Sequence, residues 1–204
     1  AIPVQNLAAK VVRESLVRCG GVNDAEVDEI IMGQALPDTE SSNVARNAGL
    51  LAGLPVEVPA YTINRQCASA MQAVACGMQQ IQSGHAQIVI AGGCENMSRS
   101  IFYLPPSTRY EPHRMGNIQV IDSFVRGGIC AQPIEMYPDN SMGMTAENVA
   151  EKYGITREEM DRFAMDSQRK ALDAIAVGKF KDEIVPYEIT DRKGETIFFD
   201  TDEH

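Results

Sequence analysis

Two short apolar runs with a helical stretch between them place the strongest constraint on the fold. The first run spans Val58 to Ile63, and the second spans Ile88 to Ala91 and is closed by Gly92-Gly93. Between them, apolar residues from Met71 to Ile81 recur at helical spacing, and Gly84 ends the pattern. Strand, helix and strand in this order form a right-handed βαβ unit. We therefore predict an α/β fold with a mainly parallel sheet covered by helices.

The patterning divides the chain into three parts. Residues 1–99 hold the βαβ unit, an amphipathic first helix, a short apolar strand from Glu29 to Gly33 and a second helix capped by Ser41 and Ser42. Residues 100–140 are rich in Pro, Gly, Arg and Tyr without periodicity, which predicts a loop-rich excursion. In residues 141–204, a helix returns behind a Thr156/Glu159 capping box, and a last strand from Glu183 to Ile189 leads to a charged tail.

Composition argues against several classes of protein. Eighteen Lys and Arg against 28 Asp and Glu give a net charge of -10, a poor basis for nucleic-acid binding. Charges interrupt every apolar stretch well short of the roughly 20 residues that a membrane helix needs, and no signal-peptide pattern opens the chain. The five cysteines form no CxxC pair, and the three histidines have no ligand spacing. We expect a cytoplasmic protein with reduced thiols and no metal.

Cys67 is the residue whose position points most clearly to chemistry. It follows a predicted strand and precedes a predicted helix, where unpaired N–H groups and the positive helix end favour a thiolate. The same N–H groups can stabilise the oxyanion formed when a thioester carbonyl is attacked. The alternative is a buried, inert cysteine, which is the usual case and our interpretation of Cys19, Cys76, Cys94 and Cys130.

Two ordered sequence blocks resemble one enzyme family. The run from Ile63 to Ser98, INRQCASAMQAVACGMQQIQSGHAQIVIAGGCENMS, resembles the active-site block of thiolases: nucleophile, helix, glycine stop, strand, then GGxExMS. The run from Met142 to Ala171, MGMTAENVAEKYGITREEMDRFAMDSQRKA, resembles a later block of the same family. The chain is thus similar to the N-terminal half of a thiolase, the family of acetyl-CoA acetyltransferases and 3-ketoacyl-CoA thiolases.

The resemblance implies a thiolase-like layered βαβ core, with a mixed, mainly parallel sheet. It makes Cys67 the acyl-accepting nucleophile, with its backbone N–H in an oxyanion hole, and Glu95 a structural hydrogen-bond acceptor. It places Met142 beside the acyl pocket, although a core or loop methionine is an equal alternative there. Coenzyme A enters as substrate, and no metal or redox cofactor is required.

The chain departs from the family pattern at two positions. Ala70 stands where members commonly have glycine, and Ser141 stands where many short-chain biosynthetic thiolases have histidine. The family's second half supplies a histidine that activates the nucleophile and a second cysteine that moves the α-proton, and neither motif occurs here. We therefore expect a fragment or half-enzyme lacking the C-terminal half. Each missing group should cost about a hundredfold or more in rate.

Two functions remain open from the sequence. The first is a thiolase-type acyltransferase of fatty acid metabolism, transferring an acyl group between a cysteine and coenzyme A by 3-ketoacyl-CoA thiolysis or acetyl-CoA condensation. The second is a non-catalytic thiolase-like interaction or scaffold module; a cysteine hydrolase is weaker, because no matching His or Asp motif accompanies Cys67. For either function we expect a homodimer or homotetramer, with a separate C-terminal half as a further partner.

Overall fold

The structure is a computed structural model that describes residues 2–37, 39–111, 113–129, 131–138, 141–190 and 193–202. The chain forms two compact units, Ala1–Pro138 and Asp139–His204. The finer division at residues 99 and 140 stays a prediction. Cys130, interpreted as a structural cysteine, lies outside the described residues.

The first unit is built on a three-stranded parallel sheet with helices packed against it. In chain order its main elements are α1 (Val4–Cys19), β1 (Glu29–Gly33), α2 (Val44–Leu51), β2 (Ala60–Ile63), α3 (Ser69–Gln82) and β3 (Val89–Gly93). The strand order is β2-β1-β3, and both pairings are parallel. This sheet confirms the predicted βαβ unit, because α3 connects two parallel strands of one sheet.

β1 is the central strand, and its two faces contact different helices. Ile30 belongs to a buried cluster with residues of α1 and α2, such as Val12 and Val44. Because side chains alternate along a strand, Ile31 and Gly33 face the opposite side. A Cβ atom at Gly33 would meet the backbone of α3, so that opposite side is the one that α3 covers. The sheet therefore separates α1 and α2 from the helix that begins next to Cys67.

The start of α2 differs from the prediction. Ser41 and Ser42 were expected to cap this helix, but the cap is Asn43, whose side chain accepts a hydrogen bond from the Arg46 N–H at 3.1 Å. Ser41 is buried and instead accepts a hydrogen bond from the Asn47 side chain at 2.7 Å. Asparagine is as good a cap as serine, so local sequence could not choose between neighbouring candidates.

The excursion holds short elements separated by irregular segments. Its antiparallel pair is β4 (Phe102–Tyr103) with β5 (Ile121–Asp122), and α4 (Ser123–Ile129) follows directly. A short 3-10 helix occurs at Pro106–Arg109, and another, Met97–Arg99, directly precedes the excursion. The described residues of this segment agree with the prediction that it is rich in loops.

The described residues of the second unit form two helices and a pair of antiparallel strands. They are α5 (Met142–Tyr153), α6 (Arg157–Ala176), β6 (Tyr187–Thr190) and β7 (Thr196–Phe199), with β6 and β7 antiparallel. The predicted capping box is confirmed: the Glu159 carboxylate accepts from the Thr156 N–H at 2.8 Å, and Thr156 Oγ1 accepts from the Glu159 N–H. The predicted charged tail is wrong at Thr196–Phe199, where the run TIFF pairs with β6.

Across the ranges that the structure describes, no helix is both long enough and apolar enough to cross a membrane.

Candidate active site

Cys67 lies in the turn that joins β2 to α3, two residues before the first helical residue, Ser69. Its side chain is exposed. Cys67 is therefore not buried within this chain, and its reactivity stays a prediction. No side chain caps α3 at Ala68, and the Ser69 N–H donates to the Gln66 carbonyl at 3.0 Å. The donors that the first turn of α3 can offer an anion are therefore the N–H groups of Ala70 and Met71. This is the position that the sequence predicts for an activated nucleophile.

The turn before Cys67 has an unusual backbone. Among the described residues, Gln66 is the one non-glycine residue with a positive φ, at 52°. Asn64 supports this conformation from the N-terminal side, because its side-chain oxygen accepts from the Gln66 N–H at 2.9 Å. The Asn64 amide nitrogen also donates to the Ala35 carbonyl at 3.0 Å. The left-handed region costs a residue with a side chain about 1–2 kcal/mol, so contacts must hold Gln66 there.

Two glycines at the ends of neighbouring strands make room for the start of α3. Gly33 and Gly93 are paired in the sheet. A Cβ atom on Gly33 would lie 2.3 Å from the Ala70 nitrogen and the Ser69 carbonyl carbon. A Cβ atom on Gly93 would lie 2.6 Å from the Ala70 Cβ. Ala70 therefore fits this helix because the facing strand residue is glycine, and its departure from the family pattern causes no clash.

Glu95 holds the loop that follows β1. One of its carboxylate oxygens accepts from the Ala35 N–H at 2.7 Å and from the Leu36 N–H at 3.2 Å. The Ala35 carbonyl in turn accepts from Asn64. This confirms Glu95 as a structural hydrogen-bond acceptor, and it links the strand-end loop to the turn that carries Cys67.

The other described cysteines have different surroundings. Cys76 is half-buried and accepts a hydrogen bond from the Gln72 side chain at 3.3 Å. Burial, followed by the Cys76 hydrogen bond, raises the pKa of the neighbouring Tyr61 to about 12. Cys19 is exposed, which corrects the expectation that it is buried, but it lies at the C-terminal end of α1, where the helix dipole disfavours an anion.

Cys94 is expected to be unreactive near neutral pH. Burial, followed by the charge of Glu95, raises the pKa of Cys94 from 9.0 to about 11. The neutral thiol therefore persists to higher pH, and alkylation by iodoacetamide, which requires the thiolate, should accelerate between pH 9 and about 11. Peptide mapping against pH measures this, with Cys19 as the exposed reference. Alkylation of Cys94 as fast as Cys19 at neutral pH would contradict this prediction.

Met142 is the first residue of α5, in the second unit. Its side chain is 73% exposed, so within this unit it is not a core methionine. Ser141, the second departure from the family pattern, caps the same helix by accepting from the Met144 N–H at 3.2 Å. The place of Met142 beside an acyl pocket stays a prediction.

Sequence reasoning missed the residues that shape the turn. They are Gly33, Asn64, Gln66 and Ser69. Asn64 lies three residues before Cys67 and Ser69 lies two residues after it, in the run NRQCAS. Both residue types commonly form hydrogen bonds with nearby backbone groups, so the sequence did carry a signal for their role. The role of Gly33 had no local signal, because the residues it faces are far away in sequence. Within the described ranges, no group of three His, Cys, Asp or Glu side chains could hold a metal ion.

Comparison with known proteins identifies what this arrangement is similar to. The family model for the thiolase N-terminal domain matches residues 1–204. Acetyl-CoA acetyltransferases from Pseudomonas aeruginosa and Cupriavidus necator are 45% and 46% identical over 202 residues, 99% of this chain and 50% of each relative. The crystal structure of the Bacillus anthracis acetyl-CoA acetyltransferase matches with a TM-score of 0.87 and 41% identity, over 100% of this chain and 49% of that one. The chain thus spans about half the length of these relatives.

Proposed function

The chain belongs to the thiolase family, and from that premise we propose that Cys67 is the nucleophile of an acyltransferase that uses coenzyme A. The observation that carries the proposal is the position of Cys67, exposed in a held turn at the uncapped start of α3. Cysteine is a strong nucleophile as the thiolate, and helix N-termini favour that form.

In the proposed thiolysis, the Cys67 sulfur forms a bond to the 3-keto carbon of a 3-ketoacyl-CoA. The bond between the α and β carbons then breaks, and acetyl-CoA leaves after its α-carbon takes a proton. The thiol of a second coenzyme A attacks the acyl-Cys67 thioester, takes the acyl group and returns the sulfur of Cys67. Backbone N–H groups at the start of α3 are the donors that this chain offers to the oxyanion of each attack.

Further parts of the proposal follow from family membership. The proton-transfer histidine and second cysteine belong to sequence that the relatives carry beyond the matched half. Coenzyme A is a substrate, no metal or redox cofactor takes part, and Met142 contacts the acyl group. We propose a cytoplasmic homodimer or homotetramer of fatty acid metabolism. Residues 1–99 form the core that carries the nucleophile, residues 100–140 contribute to assembly, and residues 141–204 supply the helical return and final strand of this half.

A second candidate function is a non-catalytic interaction module, and the surface of α3 supports it. Met71, Val74, Met78 and Ile81 are exposed along one side of this helix within the first unit. An apolar stripe at helical spacing is typical of a surface that another polypeptide covers. Under this alternative, Cys67 is inert and the stripe binds a partner chain.

Differential alkylation separates the two functions. The chain is incubated with acetoacetyl-CoA or with coenzyme A alone, then treated with iodoacetamide and mapped by mass spectrometry. The acyltransferase proposal predicts that acetoacetyl-CoA protects Cys67, because its sulfur carries an acyl group, while Cys19 stays equally reactive in both samples. Long incubation is needed, since a missing base costs about a hundredfold or more in rate.

The opposite outcome would favour the interaction module. If acetoacetyl-CoA protects neither Cys67 nor any other cysteine, the nucleophile proposal fails for this chain. A Met78→Glu variant that reduces self-association or partner binding, with Cys67 unprotected, would then support the module.

A further inference from the structure

The hydroxyl of Ser69 makes two hydrogen bonds within the turn that carries Cys67. Ser69 is 4% exposed. Its Oγ accepts from the Arg65 N–H at 2.8 Å and donates to the Gln66 carbonyl at 2.6 Å. The Ser69 N–H donates to the same carbonyl at 3.0 Å. One buried side chain therefore bonds the peptide group between Asn64 and Arg65 and the peptide group between Gln66 and Cys67.

Gln66 is the residue in this turn that needs such support. With φ at 52°, it occupies the left-handed region that favours glycine. A non-glycine residue keeps a left-handed conformation only where surrounding contacts hold it there. Asn64 fixes the Gln66 N–H, and Ser69 fixes the Gln66 carbonyl and the preceding Arg65 N–H. The peptide that leads from Gln66 into Cys67 is thus held through Ser69.

We propose that Ser69 is a positioning residue for Cys67. Its hydroxyl keeps Gln66 in the left-handed conformation and so keeps Cys67 in place at the start of α3. Without the hydroxyl, Gln66 returns to negative φ, and the Cys67 side chain leaves the helix end. This role of Ser69 rests on the proposed function of Cys67 and concerns the geometry of the same site.

The test is the rate of Cys67 alkylation by iodoacetamide in Ser69→Ala, divided by the rate of Cys19 alkylation in the same molecules. Cys19 lies at the end of α1 and is exposed, so it reports reagent and buffer effects. We expect the ratio to fall about tenfold relative to wild type, because iodoacetamide reacts with the thiolate and Cys67 loses the helix-start position that favours this form. All rates are measured well below each variant's melting temperature.

Matched variants separate positioning from a general loss of structure. Ser83 is the C-cap residue at the opposite end of α3, and its hydroxyl donates to the Gln80 carbonyl at 3.0 Å. Ser83→Ala should leave the ratio unchanged. Ser69→Thr keeps the hydroxyl and should stay within about twofold of wild type. Adding Gln66→Gly to Ser69→Ala should restore most of the ratio, because glycine adopts positive φ without strain.

Each outcome decides the proposal. A tenfold loss in Ser69→Ala that Gln66→Gly reverses supports it, whatever happens to the melting temperature. An unchanged or higher ratio in Ser69→Ala, or a loss that Gln66→Gly does not reverse, overturns it. Failure of the proposed function has a different signature: wild-type Cys67 then shows no protection by acetoacetyl-CoA, while the ratio between variant and wild type can still be measured.

Discussion

Replacing Gly33 by alanine is expected to displace the start of α3 and to disable Cys67. The new Cβ atom would lie 2.3 Å from two backbone atoms of Ser69 and Ala70, where no side-chain rotation relieves the clash. Overpacking of this kind costs about 1–3 kcal/mol, and a backbone clash belongs at the upper end. A displacement near 1 Å at Cys67 should slow acyl transfer from a bound substrate to its sulfur by about a hundredfold. Urea denaturation and the rate of Cys67 acylation by acetoacetyl-CoA measure the two effects.

Gly92→Ala is the matched control for this prediction. Gly92 precedes Gly93 on β3, but a Cβ atom there would meet nothing nearer than the Met32 sulfur at 3.9 Å. The control should change stability and Cys67 reactivity little. If Gly33→Ala is as stable and as reactive as Gly92→Ala, the close approach of β1 and α3 does not hold the turn.

Replacing Cys67 by alanine is expected to abolish acyl transfer to the protein. The proposed reaction needs a sulfur at this position, and the other described cysteines lack its combination of exposure and helix-start geometry. Intact mass after long incubation with acetoacetyl-CoA measures protein-bound acyl groups. Cys19→Ala is the control, because it removes an exposed thiol away from the turn and should leave the acyl adduct unchanged. An adduct that persists in Cys67→Ala would assign the reaction to another residue.

The repeating patterns of the sequence were sufficient for the sheet and its helices. The apolar run around Ile31 predicts β1, and the helical spacing of apolar residues, ended by a glycine, predicts α3. The structure confirms both elements and the parallel sheet. The two motif blocks likewise predicted the thiolase family, which the family model and the Bacillus anthracis structure confirm. The first residue of a helix could be predicted where a capping box marks it, as Thr156 and Glu159 do for α6.

Features that depend on distant contacts could not be predicted. The conformation of Gln66 follows from hydrogen bonds with Asn64 and Ser69, and nothing in the residue itself favours positive φ. Gly33 resembles an ordinary strand end until α3 lies against it. The β7 strand was missed because its short apolar run follows charged residues, and it forms by pairing with β6.

These results give Cys67 a physical setting that a motif alone does not supply. Glu95 holds the loop after β1, that loop binds Asn64, and Asn64 and Ser69 hold Gln66. The chain of hydrogen bonds connects the ends of β1, β2 and β3 to the turn that carries the exposed Cys67. Under the proposed function, a nucleophile held in this way needs no rearrangement before it attacks the acyl carbon.

The most direct test of the central claim is peptide-level mass spectrometry of the wild-type chain after incubation with acetoacetyl-CoA. Assignment of Cys67 as the nucleophile predicts an acetyl group on the peptide that contains Cys67, removable by added coenzyme A with formation of acetyl-CoA. An acetyl group confined to other cysteines, or none on any peptide, would contradict the assignment of Cys67 as the acyl-accepting nucleophile.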